Sequence, residues 1–305
     1  MLKSELVQTD KHSIIILLRR KNLRFLRRTN HNTNSLANIM KKIISIFILL
    51  FSTYVVLGQN YNYHNPNLDL KNGQKYFLFG DNVKFRKLPE KNSDVIDLLK
   101  IGTEIEIIEK SDNSINHNGL ESFFYKVKHN GKFGYILGGL ISLEKVKSNK
   151  TDYFFSFKKD SNDYYLLIRY LDDNLKTVDL ITELRTIEFT IELYDNKGIE
   201  GIKNILFINY LAEACGVNGG GIFYFKLDNE LKKVFEITQV VDGGVYWFNE
   251  ELIFPTDENG VKNKIVYIKE YEEYLDEDTN WYETKKVSRE LEWKNGEILP
   301  KIDRK

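Results

Sequence analysis

Nucleophilic chemistry in this chain would have to turn on its one cysteine, Cys215, and a thiol needs a base within hydrogen-bond reach to be a nucleophile. The histidines past residue 58 are His64, His117 and His129, and all of them lie before residue 151, in a different part of the chain. Cys215 sits in Ala214-Cys215-Gly216-Val217-Asn218-Gly219-Gly220-Gly221, which reads as a strand ending in a glycine-rich turn, with the thiol a buried structural group. Those glycines are not a phosphate loop, because no Lys-Ser/Thr follows and no helix opens after them. A single cysteine also excludes an intrachain disulfide, a Cys-based zinc site and a CxxC redox pair. The run Asp276-Glu277-Asp278-Thr279-Asn280-Trp281-Tyr282-Glu283 spaces oxygen ligands as a calcium loop would. However, Trp281 stands where an EF-hand needs glycine and Val287 where it needs a bidentate glutamate, so a solvated hairpin loop is the plainer reading. No spacing singles out a carboxylate pair for glycoside hydrolysis, and zinc hydrolysis is disfavoured by the scarcity of histidine. The expectation is a protein without cofactor, metal or catalytic constellation.

The elements that carry these residues are strands. Aromatics make up 13% of 305 residues and proline only 4 positions, a composition that suits pleated, half-buried surfaces rather than a low-complexity chain. Formal net charge is +0, which lacks the basic signature of a nucleic-acid binder. The balance is uneven: residues 1–42 hold ten Lys/Arg against two acids, a surplus of 8, so the remainder carries −8.

Met40-Lys41-Lys42 followed by the uncharged stretch Ile43 to Gly58 has the form of a signal peptide, somewhat short for a membrane span, with an uncleaved membrane anchor or a buried core helix as the alternatives. Cleavage after Gly58 would leave Gln59 at the mature end, and no cysteine follows the run to make a bacterial lipoprotein. The expectation is an exported protein, periplasmic or extracellular, with no membrane span once the signal at 40–58 is removed. The basic leader 1–39 is then either a start-site artefact, with translation beginning at Met40, or a cytoplasmic tail held by its arginines and lysines; the former is favoured.

Beyond an Asn-rich linker, 59–75, short alternating runs begin. Ile101 to Ile108 alternates from Thr103 on, and Phe123 to Lys128 and Lys132 to Leu137 flank His129-Asn130-Gly131, a hairpin signal. In order, Phe85-Arg86-Lys87-Leu88-Pro89, Val95 to Leu99, Gly102-Thr103, Phe124-Tyr125-Lys126-Val127 and Asn130-Gly131-Lys132-Phe133-Gly134-Tyr135-Ile136 resemble the consensus of the bacterial SH3 family. The resemblance covers residues 76–146 and implies a small SH3-like barrel that contacts peptides or wall fragments through an aromatic platform. Both tryptophans of the consensus are replaced, by Phe124 and Tyr135. The residues it points to are Phe85, Arg86, Phe124, Tyr125 and Tyr135; against this, aromatics in a small barrel are commonly core, and Arg86 can pair with the domain's own backbone.

Residues 151–300 are long enough for a second β-rich domain, an antiparallel meander or sandwich. Its strand candidates are Asp152 to Phe157, Tyr164 to Tyr170, Thr186 to Tyr194, Ile205 to Tyr210, Gly221 to Leu227, Val234 to Val240, Val245 to Trp247, Glu251 to Phe254, Ile265 to Tyr271 and Trp281 to Trp293. A helix is conceivable at Leu175 to Leu184, where Val178, Ile181 and Leu184 keep helical spacing. The fold class is thus mainly β. Three functions fit: an exported binding or scaffold protein contacting cell-wall fragments or an envelope protein, an envelope carboxylate hydrolase within 151–300, or an inhibitor or immunity-type protein with an acidic face.

Overall fold

The computed structural model describes residues 62–148, 151–171, 176–211, 216–242, 246–276 and 281–302. The leader, the apolar run with Gly58 and Gln59, Cys215 and the tip of the acidic run at 277–280 lie outside the described residues. The described chain is antiparallel β structure, and its only helical element is a 3-10 turn, Gly138–Leu140. Among the described residues no helix is long and apolar enough to cross a membrane.

The first sheet is a curled half-barrel of six strands: β1 (Lys75–Phe77), β2 (Val83–Arg86), β3 (Val95–Leu99), β4 (Glu104–His117), β5 (Leu120–His129) and β6 (Lys132–Leu137), in the order β1-β4-β5-β6-β2-β3. Alternation decides which side chains turn inward. Val83 and Phe85, Ile105 and Ile107, Tyr125 and Val127, and Ile136 form one core, and Val127 and Ile136 are fully buried. The β5–β6 hairpin turns at Asn130 and Gly131, both with positive φ (49° and 75°), as the Asn-Gly pair requires.

A four-stranded sheet follows: β7 (Lys145–Lys147), β8 (Asp152–Asp160), β9 (Asp163–Leu171) and β10 (Thr177–Glu183). Its last strand replaces the conceived helix. Paired to β9 residue for residue, it turns Val178, Leu180 and Thr182 inward and leaves Ile181 60% exposed. The spacing of Val178, Ile181 and Leu184 was coincidental; the period is two, and the β-branched Thr177, Val178, Ile181 and Thr182 suit a strand.

Eight strands complete the chain in sequence order: β11 (Phe189–Tyr194), β12 (Asn204–Tyr210), β13 (Gly219–Lys226), β14 (Leu231–Asp242), β15 (Tyr246–Ile253), β16 (Ile265–Asp276), β17 (Trp281–Lys294) and β18 (Glu297–Leu299). Two expected strands, Val245 to Trp247 and Glu251 to Phe254, are one, β15. The gap between them, Phe248 to Glu250, ends on Glu250, a carboxylate that turns inward and is satisfied there by the Thr238 amide (2.8 Å) and the Tyr267 hydroxyl (2.5 Å). Gly219 to Gly221 likewise belong to β13 and not to a turn, buried between β12 and β14.

One face of β11–β13 packs on the four-stranded sheet, joining Tyr153, Phe155, Leu166 and Ile168 to Leu206, Ile208 and Ile222. The opposite face closes on the sheet's own later strands, where Phe225 meets Phe254 (6.4 Å between rings) and Trp293 (5.1 Å). Each such buried side chain contributes about 1.5–3 kcal/mol. The half-barrel is fastened to this sandwich at the β4–β5 turn, where the Lys159 amide donates to Asn118 O (2.8 Å). A Cβ on Gly119 (φ +80°) would lie 1.9 Å from Lys159 O, whereas one on Gly131 would meet nothing within 4 Å. Gly119→Ala is therefore expected to destabilise by about 2–3 kcal/mol in denaturant unfolding, against about 1 kcal/mol for Gly131→Ala, which strains only the backbone; equal losses would mean that the turn does not bear on Lys159.

Candidate binding cleft on the half-barrel

The five residues singled out on the half-barrel separate into two groups. Phe85 and Tyr125 are in the core, 1% and 5% exposed, and form no surface platform. The parity of β2 and β5 puts them on the concave side, and nothing in the motif match distinguishes that side from a binding face. Arg86 and Phe124 belong to the other side and border a common cleft of about 250 Å³, but Phe124 is itself 2% exposed and forms no surface platform either. Tyr135, half-buried, stands opposite Arg86 where β2 meets β6.

The cleft has an apolar wall of Ile115, Phe124, Leu137 and Leu140 and a cationic rim of Lys84, Arg86 and Lys91, with Asp81 at one end. Arg86 is partly spoken for: its Nη1 donates to Ser93 O (2.9 Å), which fixes the guanidinium along the β2–β3 loop. Ser93 in turn accepts from the Leu88 amide through its hydroxyl (2.8 Å), and Lys87 pairs with Asp94. Asp81 is engaged by Lys100 at 3.9 Å. Lys84 and Lys91 are exposed and have no carboxylate partner among the described residues. The cleft thus offers two uncompensated ammonium groups and a fixed guanidinium beside apolar side chains, an arrangement suited to a ligand with an anionic group next to a hydrocarbon or ring. Sequence reading missed both lysines. Lys84 is one residue from the matched motif and Lys91 lies in the loop between strands, and only the folded loop brings them to one rim.

Tyr125 has a different task. Its hydroxyl donates to Asp69 Oδ1 (3.2 Å) and accepts from the Leu70 amide (3.4 Å), and Lys110 reaches the same carboxylate at 2.7 Å. Chain preceding the half-barrel is held by this contact. It is held again farther up, where His64 bridges to Phe189 through both backbone groups and its Nε2 meets Glu144 Oε2 at 2.8 Å. The larger cleft along residues 62–77, about 380 Å³, is lined by these fastening contacts.

Among the described residues no group of three or more His, Cys, Asp or Glu is arranged to hold a metal ion. No protein-family model matches the chain, and neither a curated protein nor a solved structure is detectably similar to it.

Burial, more than its neighbouring carboxylate, pushes the Tyr125 hydroxyl up to about 12 from 10. A tyrosine whose folded pKa lies above its unfolded value contributes stability that is complete below pH 10 and lost as pH rises through 12. Stability is expected to fall between pH 10 and 12, and less steeply in Tyr125→Phe than in the parent chain. Unfolding midpoints at stepped pH check this, and identical slopes would remove Tyr125 as a contributor.

Proposed function

We propose that the chain is an exported, non-enzymatic binding protein whose half-barrel, residues 76–146, is a bacterial-SH3-like module that contacts cell-wall fragments or an envelope protein. The observation that carries this reading is the cleft rim. Lys84 and Lys91 stand unpaired beside the half-buried Ile115 and Leu140, on the convex side of a sheet whose inner face is consumed by its own core. Wall fragments and envelope peptides offer the matching chemistry, carboxylates next to apolar groups. The order of the SH3-like motifs supports the module, and the basic Met40-Lys41-Lys42 before an uncharged sixteen-residue stretch supports export.

The reading is tested by mixing the purified chain with peptidoglycan fragments and with envelope proteins. Lys84→Glu combined with Lys91→Glu is expected to weaken binding roughly tenfold, equivalent to about 1.4 kcal/mol, and to reduce its salt sensitivity. Both side chains are exposed, so unfolding should be unaffected. No binding by the parent chain, or binding indifferent to the double substitution, overturns the proposal. Export is checked separately by the mass of the mature protein, expected to begin at Gln59; an intact N-terminus with Met1 or Met40 retained would remove it.

A further inference from the structure

We propose that two copies of this chain pair antiparallel through the outer edge of β17, centred on Thr284, to make one continuous sheet. This goes beyond the binding cleft and does not rest on it. Beyond Leu291 the core is exhausted: residues 281–290 are exposed in unbroken succession, so both faces of this stretch of β17 meet solvent. Its inner edge pairs with β16 from Trp281 to Leu291, and on its outer edge β18 covers only Glu292–Lys294. The strand order of the sheet ends there. A sheet edge of this length is a template for a further strand unless its side chains forbid one.

The side chains select instead of forbidding. Antiparallel strands related by a two-fold axis keep opposite residues on one face, so the axis must pass through a single residue and opposite numbers share parity. With the axis at Thr284, Trp281 faces Val287, Tyr282 faces Lys286, Glu283 faces Lys285 and Thr284 faces its own mate. Trp281 and Val287, 63% and 41% exposed, then cover each other; Glu283 meets an opposite charge; and the tyrosine ring takes an ammonium group. Every other register is worse. An axis one residue lower sets Glu283 against Glu283, and one residue higher sets Lys285 against Lys285. An axis at Lys286 opposes two lysines, and one at Val287 opposes Lys285 to Arg289. Moving it to Ser288 sets the partner's Tyr282 to Thr284 where β18 already pairs with Glu292–Lys294, while Tyr282 as centre leaves only three residue pairs. In the favoured register the partner's strand reaches only to Val287, short of Glu292 where β18 pairs, so β18 limits how far the partner can slide.

The occupant is a second copy because the edge is complementary to itself in charge, bulk and parity, and an isologous contact closes after two subunits and does not propagate. Seven residues a side make a small interface, below ~1,200 Å² in total, so the dimer is expected to be weak and concentration-dependent.

Cysteine trapping tests the register in the full chain with Cys215→Ser as background. Residues on the axis lie ~4.5–5.5 Å apart between Cα atoms, within disulfide reach, whereas the two Ser288 residues would be roughly 27 Å apart. Thr284→Cys is expected to form a covalent dimer under mild oxidation at least about tenfold faster than Ser288→Cys, because pairing holds its thiols together. Equal rates, or no dimer from either folded variant, overturn the proposal. Sedimentation of the unsubstituted chain supplies an independent reading: a monomer–dimer mixture whose dimer share rises with concentration and is abolished by Thr284→Lys supports it. A single monomeric species throughout, or a dimer insensitive to Thr284→Lys, removes it.

Discussion

A strand pair that is apolar on both faces imposes the architecture of everything around it. β13 is buried at every residue, and β12 at all but Asn209. Alternation gives such strands two hydrophobic faces, and each must be covered from a different direction. The chain covers one with the four-stranded sheet and the other by curling the eight-stranded sheet over itself, so that Phe207 and Phe223 stack at 4.0 Å beneath Phe254. The three glycines that open β13 belong to this constraint. A Cβ on Gly220 would fall 2.2 Å from Ile237 O, and one on Gly221 2.1 Å from Ile208 O. Only glycine lets β12 and β14 approach so closely on either side.

Most polar groups drawn into this doubly covered region are answered, the Tyr224 hydroxyl on β13 being buried without a hydrogen-bond partner. Tyr153 donates to Asn204 Oδ1 at 3.1 Å, and Lys226, 1% exposed, donates from Nζ to Asp228 O at 3.0 Å while lying 4.9 Å from the Tyr170 ring. Glu250 is the most demanding, a carboxylate 8% exposed between a backbone amide and a phenol. Leaving any of these partners unmade would cost on the order of 1–3 kcal/mol. The interior is thus specified by direction as well as by hydrophobicity, which fixes β15 against β14 and β16.

The same features explain which parts of the structure could be read from residues alone. Strands with one wet face announce themselves by alternation: β5, β6 and β9 fall close to where that pattern places them, and β4 begins there but runs nine residues farther, to His117. The pattern fails where an inward position is polar or absent: the gap Phe248 to Glu250 split one strand into two around the inward Glu250, and Gly219 and Gly220 passed for a turn before the strand expected from Gly221. It also fails where a short segment satisfies two periods, as at Thr177 to Glu183, and there the pairing with β9 decides. On the half-barrel, the residues of a motif are legible but their sides are not. Phe85 and Arg86 are neighbours in sequence and lie on opposite faces, one filling the core and the other lining the cleft. Lys91 has no sequence signal, because its place on the rim depends on a loop shaped by Ser93.

β15, β16 and β17 continue past the last core residues, Leu252, Tyr267 and Leu291, and need another source of cohesion to do so. Cation–aromatic contacts across the strands supply it. Lys269 lies 5.4 Å from the Phe248 ring, Lys285 lies 5.5 Å from that of Tyr271 directly opposite, and Tyr246 stacks on Phe248 at 6.4 Å. On the reverse face Lys286 reaches Glu270 at 3.4 Å and Thr284 donates to Glu272 at 3.1 Å. Exposed contacts of these kinds contribute about 0.5–1 kcal/mol each, enough to align strands already anchored at one end but not enough to hold a free ribbon. The arm's order is therefore borrowed from the core at Tyr267 and Leu291, so local opening of its outer residues should occur well below the energy of global unfolding. Any contact that ordered the outer edge of β17 would stabilise the part of the sheet that its own core reaches least.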